Sequence, residues 1–227
     1  MNLKTLFLAL LTLLLAQPLC AQRLYIQPQV GAGISGLRGT QWGSPMTQKG
    51  LASTVGVNCG LMKGHFRTGL GISLLNTSYH NEGVYFEPAF DPATGQPTQP
   101  SYDITLNYSQ VLLTLNAGYE IHIAKISVTP ELSIGLAYNA ISKTKLVSQE
   151  TGETTKGKNS AGGFNRLPIY GRVALHFTYY LTHRLGISLT PIYSHELNGV
   201  SSPVKKSIFT PPGLFAFTGN LGVVLKI

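Results

Sequence analysis

The chain has 227 residues, with 17 Lys and Arg against 9 Asp and Glu, yet charged residues make up only 11% of the whole. A soluble globular chain carries about 25%, so an ordinary soluble domain fits poorly. No apolar stretch after Ala21 reaches the roughly 20 residues of a spanning helix, and 25 Gly and 13 Pro punctuate the chain, which argues against a helical membrane protein.

The first segment reads as an export signal. Residues 1–4 include Lys4, residues 6–15 form an apolar run broken only by Thr12, and Gln17, Pro18, Leu19, Cys20 and Ala21 follow. A basic start, a short apolar core and a small residue at the cut site define a secretory signal peptide. We therefore expect residues 1–21 to be cleaved and residues 22–227 to form one domain, with a formal net charge of +7 once Lys4 is removed. Cys20 has an alternative reading as the lipid-bearing first residue of a lipoprotein, although Leu19 and Pro18 precede it where a small residue is preferred. Cleavage after Ala21 would leave Cys59 as the one thiol, so no intrachain disulfide framework is expected.

Strict alternation of apolar and small or polar residues then recurs eight times. Leu24, Ile26, Pro28, Val30, Ala32 and Ile34 share one face, and Tyr25, Gln27, Gln29, Gly31, Gly33 and Ser35 the other. This period of two is that of a strand. The second run sets Leu51, Val55, Val57 and Leu61 against Thr54, Gly56 and Asn58, and the third sets Phe66, Leu70 and Ile72 against Arg67, Gly69 and Gly71. In the fourth, Ile104, Leu106 and Tyr108 take one parity while Val111, Leu113, Leu115, Ala117 and Tyr119 take the other, predicting a bulge near Ser109 and Gln110. The fifth runs from Ile126 to Tyr138, the sixth from Leu167 to Leu181, the seventh from Leu185 to Tyr193 and the eighth from Phe215 to Ile227. Pro28, Pro130 and Pro191 all fall on the apolar face, and local irregularity is expected there because proline donates no ladder hydrogen bond.

The connections alternate as well. Residues 63–65, 122–125 and 182–184 are short, whereas 36–50, 80–101, 142–165 and 195–212 are long and polar. Short periplasmic turns, long extracellular loops and strands of about 9–11 residues or more are the marks of outer-membrane barrels. The expected fold is all-β: an eight-stranded antiparallel up-and-down transmembrane β-barrel with periplasmic termini, in the bacterial outer membrane. Phe66, Tyr119, Phe177 and Tyr179 would form one interfacial aromatic girdle, and Tyr138, Tyr193, Phe215 and Phe217 the other.

By parity Arg67, Asn116, Glu120, Glu131, Arg172, His176 and Lys226 face the lumen. Arg67 and Glu120 lie near the short-turn ends of neighbouring strands, and Glu131 falls at the height of Arg172 or His176. A small barrel is filled by its side chains and tolerates buried charge when it is paired, so the expected state is an internal polar plug. On the long-loop side Lys143, Lys145, Lys156, Lys158, Lys205 and Lys206 form a basic rim suited to lipopolysaccharide phosphates or an acidic envelope partner. Ser194, His195 and Glu196 carry the residue types of a hydrolase set, but consecutive strand residues point in alternating directions and lack the mutual reach catalysis needs. The histidines are scattered singly without zinc-type spacing, no phosphate-cradling motif occurs, and no cofactor or nucleic-acid partner is expected.

The last residues, Asn220, Leu221, Gly222, Val223, Val224, Leu225, Lys226 and Ile227, resemble the C-terminal signal by which the outer-membrane assembly machinery recognises its clients, with Ile227 in place of the usual aromatic residue. Gly31-Ala32-Gly33-Ile34-Ser35-Gly36, Gln48-Lys49-Gly50 and Thr129-Pro130-Glu131-Leu132-Ser133-Ile134-Gly135 resemble patterns of the Bacteroidetes outer-membrane β-barrel family that includes PorT-like proteins. That resemblance implies a place in the cell envelope and a role around protein secretion. The function read from the sequence is thus a non-enzymatic barrel acting through its long loops; the alternatives are a narrow small-solute channel and a lipid A-modifying enzyme.

Overall fold

The computed structural model describes residues 23–41, 44–85, 89–90, 97–98, 101–159, 168–197 and 209–227; the predicted signal peptide with Cys20, and Lys205 and Lys206, lie outside them. Eight long strands form the body: β1 (Arg23–Gln41), β2 (Ser44–Lys63), β3 (Phe66–Tyr85), β4 (Ser101–Tyr119), β5 (Ile126–Ser148), β6 (Ile169–Tyr180), β7 (Leu185–Glu196) and β8 (Phe209–Lys226). Each pairs antiparallel with the next, and β8 pairs back onto β1, from Tyr25 opposite Lys226 to Gln41 opposite Phe209. The expected eight-stranded up-and-down barrel is closed, and closure leaves no unpaired edge.

Alternation places the side chains as the sequence implied. Leu24, Val30 and Ile34 of β1 are exposed outside the barrel, while Tyr25, Gln27, Gln29 and Ser35 are buried within it. Exposed apolar residues recur on every barrel strand, and both expected aromatic girdles face outward. Phe66 packs edge-on against Tyr119 with ring centroids 5.2 Å apart at the short-turn end. A soluble protein rarely exposes so continuous an apolar belt; this exterior is that of a barrel immersed in hydrocarbon. The prolines act as expected at all three sites, each interrupting the ladder on one side of its strand. The paired register skips Gln27 and Pro28 between β1 and β8, Thr190 and Pro191 between β7 and β6, and Thr129 and Pro130 between β5 and the chain that follows β4, while β5 stays paired to β6 through Pro130.

Two expectations need correction. The bulge near Ser109 and Gln110 exists, but the extra residue belongs to β5: Ser109 faces Ile141 and Gln110 faces Asn139, leaving Ala140 unmatched. β4 itself keeps its pleat against β3, so Ile104, Leu106 and Tyr108 point inward. The parity change in the sequence therefore marks a lumen that turns apolar, not a slip of the strand. Secondly, the described parts of the long connections are largely strand. β1 and β2 stay paired to Gln41 and Ser44, and β5 folds back on Thr154–Asn159 as a hairpin beyond the barrel wall. Their polar sequences hide a ladder because, clear of the membrane, neither face needs to be apolar.

The three short turns are as expected. Gly64, at a φ of 58°, closes β2 to β3, a conformation that glycine adopts without steric cost. Ile121–Ile123 continues the pairing onto β5 past Glu120. On the inner face of β1, an added Cβ at Gly33 would collide with the Phe217 carbonyl oxygen of β8, so the closing seam depends on a residue without a side chain.

Candidate functional site

The lumen is filled in layers. At the short-turn end Glu120 is 2% exposed and accepts hydrogen bonds from the Tyr180 hydroxyl at 2.6 Å and the Lys226 Nζ at 3.1 and 3.2 Å. His122 Nε2 lies 3.2 Å from the same carboxylate, and the Lys226 ammonium sits 4.1 Å from the centroid of the Tyr180 ring. Glu120 is in the connection between β4 and β5, outside the spanning strands. Burial alone would raise its pKa, but Tyr180, Lys226 and His122 together hold it below its ordinary value.

Above it lies a second cluster. Glu131 Oε2 is 3.3 Å from His176 Nε2 and 3.9 Å from Arg67 Nε, all three side chains being buried. The Arg67 guanidinium also donates to Gln27 Oε1 and stacks 3.8 Å over the Tyr25 ring. Gln27 Nε2 in turn reaches Ser188 Oγ at 3.0 Å and His176 Nδ1 at 3.3 Å, and Thr190 Oγ1 lies 3.0 Å from the same nitrogen. The groups around Nδ1 can donate and the carboxylate at Nε2 accepts, which selects the ring tautomer with its proton on Nε2. Arg172, half-buried on the same face of β6, interacts electrostatically with Glu131. Asn116 donates to Asn58 Oδ1 at 3.4 Å beside this cluster.

All seven expected lumen residues are thus inward, but one implied pairing is wrong. Arg67 and Glu120, neighbours along the wall, do not meet. Arg67 turns to Glu131 and Gln27, and Glu120 reaches across the lumen to Lys226 and Tyr180. Contact across a narrow barrel depends on strand stagger, which parity does not encode.

The long-hairpin half of the lumen is apolar, contrary to an inner face polar throughout. Ala52, Leu75, Tyr79, Leu112, Ala137, Tyr170, Leu214 and Ala216 form one buried cluster, with Leu106 and Tyr108 packed against it. Tyr170 donates to Gln110 Oε1 at 3.0 Å, and Glu196 accepts the Leu214 backbone N–H at 3.2 Å. Ser194 and Glu196 are buried within the barrel, whereas His195 leaves the opposite face and stacks on Tyr193 with centroids 6.3 Å apart. Those three side chains form no catalytic set. Among the described residues, no cluster of three or more His, Cys, Asp or Glu is placed to hold a metal.

The basic rim is more ordered than loops would be. In the hairpin beyond β5, Lys145 stands directly opposite Lys156, and Lys143 opposite Lys158. Two polar rows continue across the wall: His80, Thr105, Lys145 and Lys156 in one, and Ser78, Asn107, Lys143 and Lys158 in the other. Because Leu106 and Tyr108 face inward, Thr105, Asn107, Lys143, Lys145 and Lys156 face outward, and these three lysines are exposed. Lys143 lies four paired rows beyond the exposed girdle residue Tyr138. At about 3.3 Å per residue along a strand tilted by about 40°, that is roughly 10 Å above the girdle. A concavity of about 1050 Å³ is lined mainly by belt residues such as Phe66, Leu132, Val173 and Tyr193 and is a lipid-facing groove.

No family model matches the chain, and no curated protein matches it. Solved structures do. Neisserial surface protein A is 13% identical, with 90% of this chain and 97% of that one covered and a TM-score of 0.39. A major outer membrane protein from Thermus thermophilus is 12% identical, with coverage of 91% and 100% and a TM-score of 0.45. The outer membrane protease OmpT from Escherichia coli is 8% identical, with coverage of 90% and 97% and a TM-score of 0.44.

Proposed function

We propose that this is a non-enzymatic outer-membrane barrel whose surface hairpin holds the phosphates of outer-leaflet lipopolysaccharide. The observation that carries this reading is the lysine register. Like charges directly opposite across a ladder are destabilising, and here Lys145 stands opposite Lys156, with Lys143 and Lys158 in register two residues away. A phosphate seated between them removes the repulsion and gains charge-assisted hydrogen bonds. The rows sit at the outer edge of the lipid, where the headgroup layer adds about 5–7 Å beyond the hydrocarbon and lysine stems reach along the surface. The filled lumen makes the barrel an anchor for this face and weighs against a solute channel.

Binding of bisphosphorylated lipid A to the purified protein in detergent, compared with its dephosphorylated form, tests this. Replacing Lys143, Lys145, Lys156 and Lys158 by Gln should abolish the preference for the phosphorylated lipid; an unchanged preference refutes the reading. The likeness of the strand patterns to PorT-like barrels favours a second occupant, an acidic envelope protein of a secretion system. Cross-linking from position 156 in intact cells separates the two by whether lipid or protein is attached.

A further inference from the structure

The short-turn end carries a separate charge imbalance. Among the described residues Glu120 is the one acidic side chain at that end, and it is already held by Lys226, Tyr180 and His122. Lys226 neutralises Glu120, which leaves Arg23, Lys63, Lys125 and Arg184, all exposed and, among the described residues, in no ion pair within 4 Å. Their placement is regular. Lys63 ends β2 at the first short turn, Lys125 is in the second, Arg184 is in the third, and Arg23 opens β1 beside β8. Every second gap between strands thus carries one cation, so in a closed barrel of eight strands the four stand about a quarter-turn apart. Each short turn also carries a histidine: His65, His122 and His183.

Depth argues for what these cations meet. The turns are too short to stand clear of the membrane, and apolar residues reach their tips: Phe66 is 66% exposed, Ile123 64%, Leu181 52% and Leu185 36%. Each cation is therefore within a few residues of the lipid-facing belt, at the level of the headgroups. The anion present all around a barrel at that depth is a lipid phosphate. An acidic protein would have to displace lipid to reach turns that offer it almost no protruding surface.

We propose that Arg23, Lys63, Lys125 and Arg184 form a collar that binds the headgroup phosphates of anionic phospholipids in the periplasmic leaflet and fixes how deep the barrel sits. The collar needs only that the barrel spans a membrane, and it stands apart from the hairpin platform at the opposite end.

Native mass spectrometry of the purified protein in detergent micelles, titrated with phosphatidylglycerol or with zwitterionic phosphatidylcholine, tests it. At about fivefold per surface cation, three cations amount to a preference for phosphatidylglycerol on the order of 100-fold. The variant Lys63→Gln/Lys125→Gln/Arg184→Gln should lose that preference, while Lys143→Gln/Lys145→Gln/Lys156→Gln should keep it. Retention in the rim variant, equal loss in the hairpin variant, or full displacement by millimolar inorganic phosphate overturns the proposal. Should the rim variant fail to fold, the charge-preserving Lys63→Arg/Lys125→Arg/Arg184→Lys is the control. It should keep the preference, and in the wild type the preference should fall as salt rises; a preference indifferent to salt overturns the collar equally.

Discussion

The substitution Glu131→Gln isolates what the central cluster contributes to stability. Glu131 faces Arg67 at 3.9 Å and His176 at 3.3 Å, with both side chains of the Arg67–Glu131 pair 4% exposed. At an effective dielectric of about 20 the Arg67 attraction alone is about 4 kcal/mol. Removing one partner of a buried pair typically costs about 3–5 kcal/mol, because the other charge is left without compensation. Glutamine keeps the shape and one acceptor, so we expect a loss near the lower end, about 3 kcal/mol. For a domain of this length that lowers the unfolding midpoint by about 6–12 °C. The assay is the temperature at which the compact band on a detergent gel gives way to the unfolded band, with denaturant titration in vesicles for the free energy. A double-mutant cycle with Arg67→Met sharpens it. If the two residues act as a pair, the double variant loses less than the sum of the singles by about 1 kcal/mol or more. A Glu131→Gln midpoint within about 2 °C of wild type, or strict additivity in the cycle, refutes the pairing.

Three further predictions follow from other parts of the barrel. The Glu120 carboxyl is held below its ordinary pKa in the folded state, so its stabilisation is complete above the unfolded value of about 4.3 and is lost as pH falls through the folded value. The stability gap between wild type and Glu120→Gln should therefore be constant at neutral pH and close under acid; a gap that widens below pH of about 4 contradicts the assignment. Gly33→Ala, which places a Cβ against the Phe217 carbonyl, should weaken closure between β1 and β8 by about 1–3 kcal/mol, seen as a lower yield of the compact form in refolding. Because the lumen is filled by the polar clusters below and the Tyr79, Leu112 and Tyr170 cluster above, the protein in planar bilayers should show no large steady conductance. A porin-like current would mean that the plug opens.

Much of the fold was legible because burial in a barrel follows parity. A one-residue slip would turn every apolar side chain of a strand into the lumen, so Leu24 to Ile34 and Ile126 to Tyr138 fix both the strand and its outward face. Parity fails where the environment stops being two-sided. At Ile104, Leu106 and Tyr108 the lumen is apolar while the outer positions Thr105 and Asn107 are polar. The pattern inverts without any slip, and a bulge in β4 is the natural but mistaken reading. Past the membrane, Lys143 to Val147 and Thr154 to Asn159 show no clean alternation, yet they pair in full register.

The candidate sites divide along the same line. Facing direction is a property of one strand, so each of the seven lumen residues could be placed from the sequence. Partnership is a property of the closed sheet. Glu120 in the β4–β5 connection meets Lys226 of β8, Gln27 of β1 meets His176 of β6, and Arg67 of β3 meets Glu131 two strands away. Strand neighbours Arg67 and Glu120 instead turn to other partners, because the stagger of a tilted barrel sets height as well as direction. The lysine platform and the cation collar follow from closure too. Single lysines in polar connections look like solvating charge until the hairpin register sets Lys145 against Lys156, and until closure spaces Arg23, Lys63, Lys125 and Arg184 around one rim. With the lumen filled, paired lysines are carried on the hairpin and single cations at the opposite rim, each close to the apolar belt. Under the two proposals made above, lipid phosphate holds the barrel from both leaflets, and recognition lies on the surfaces that border lipid.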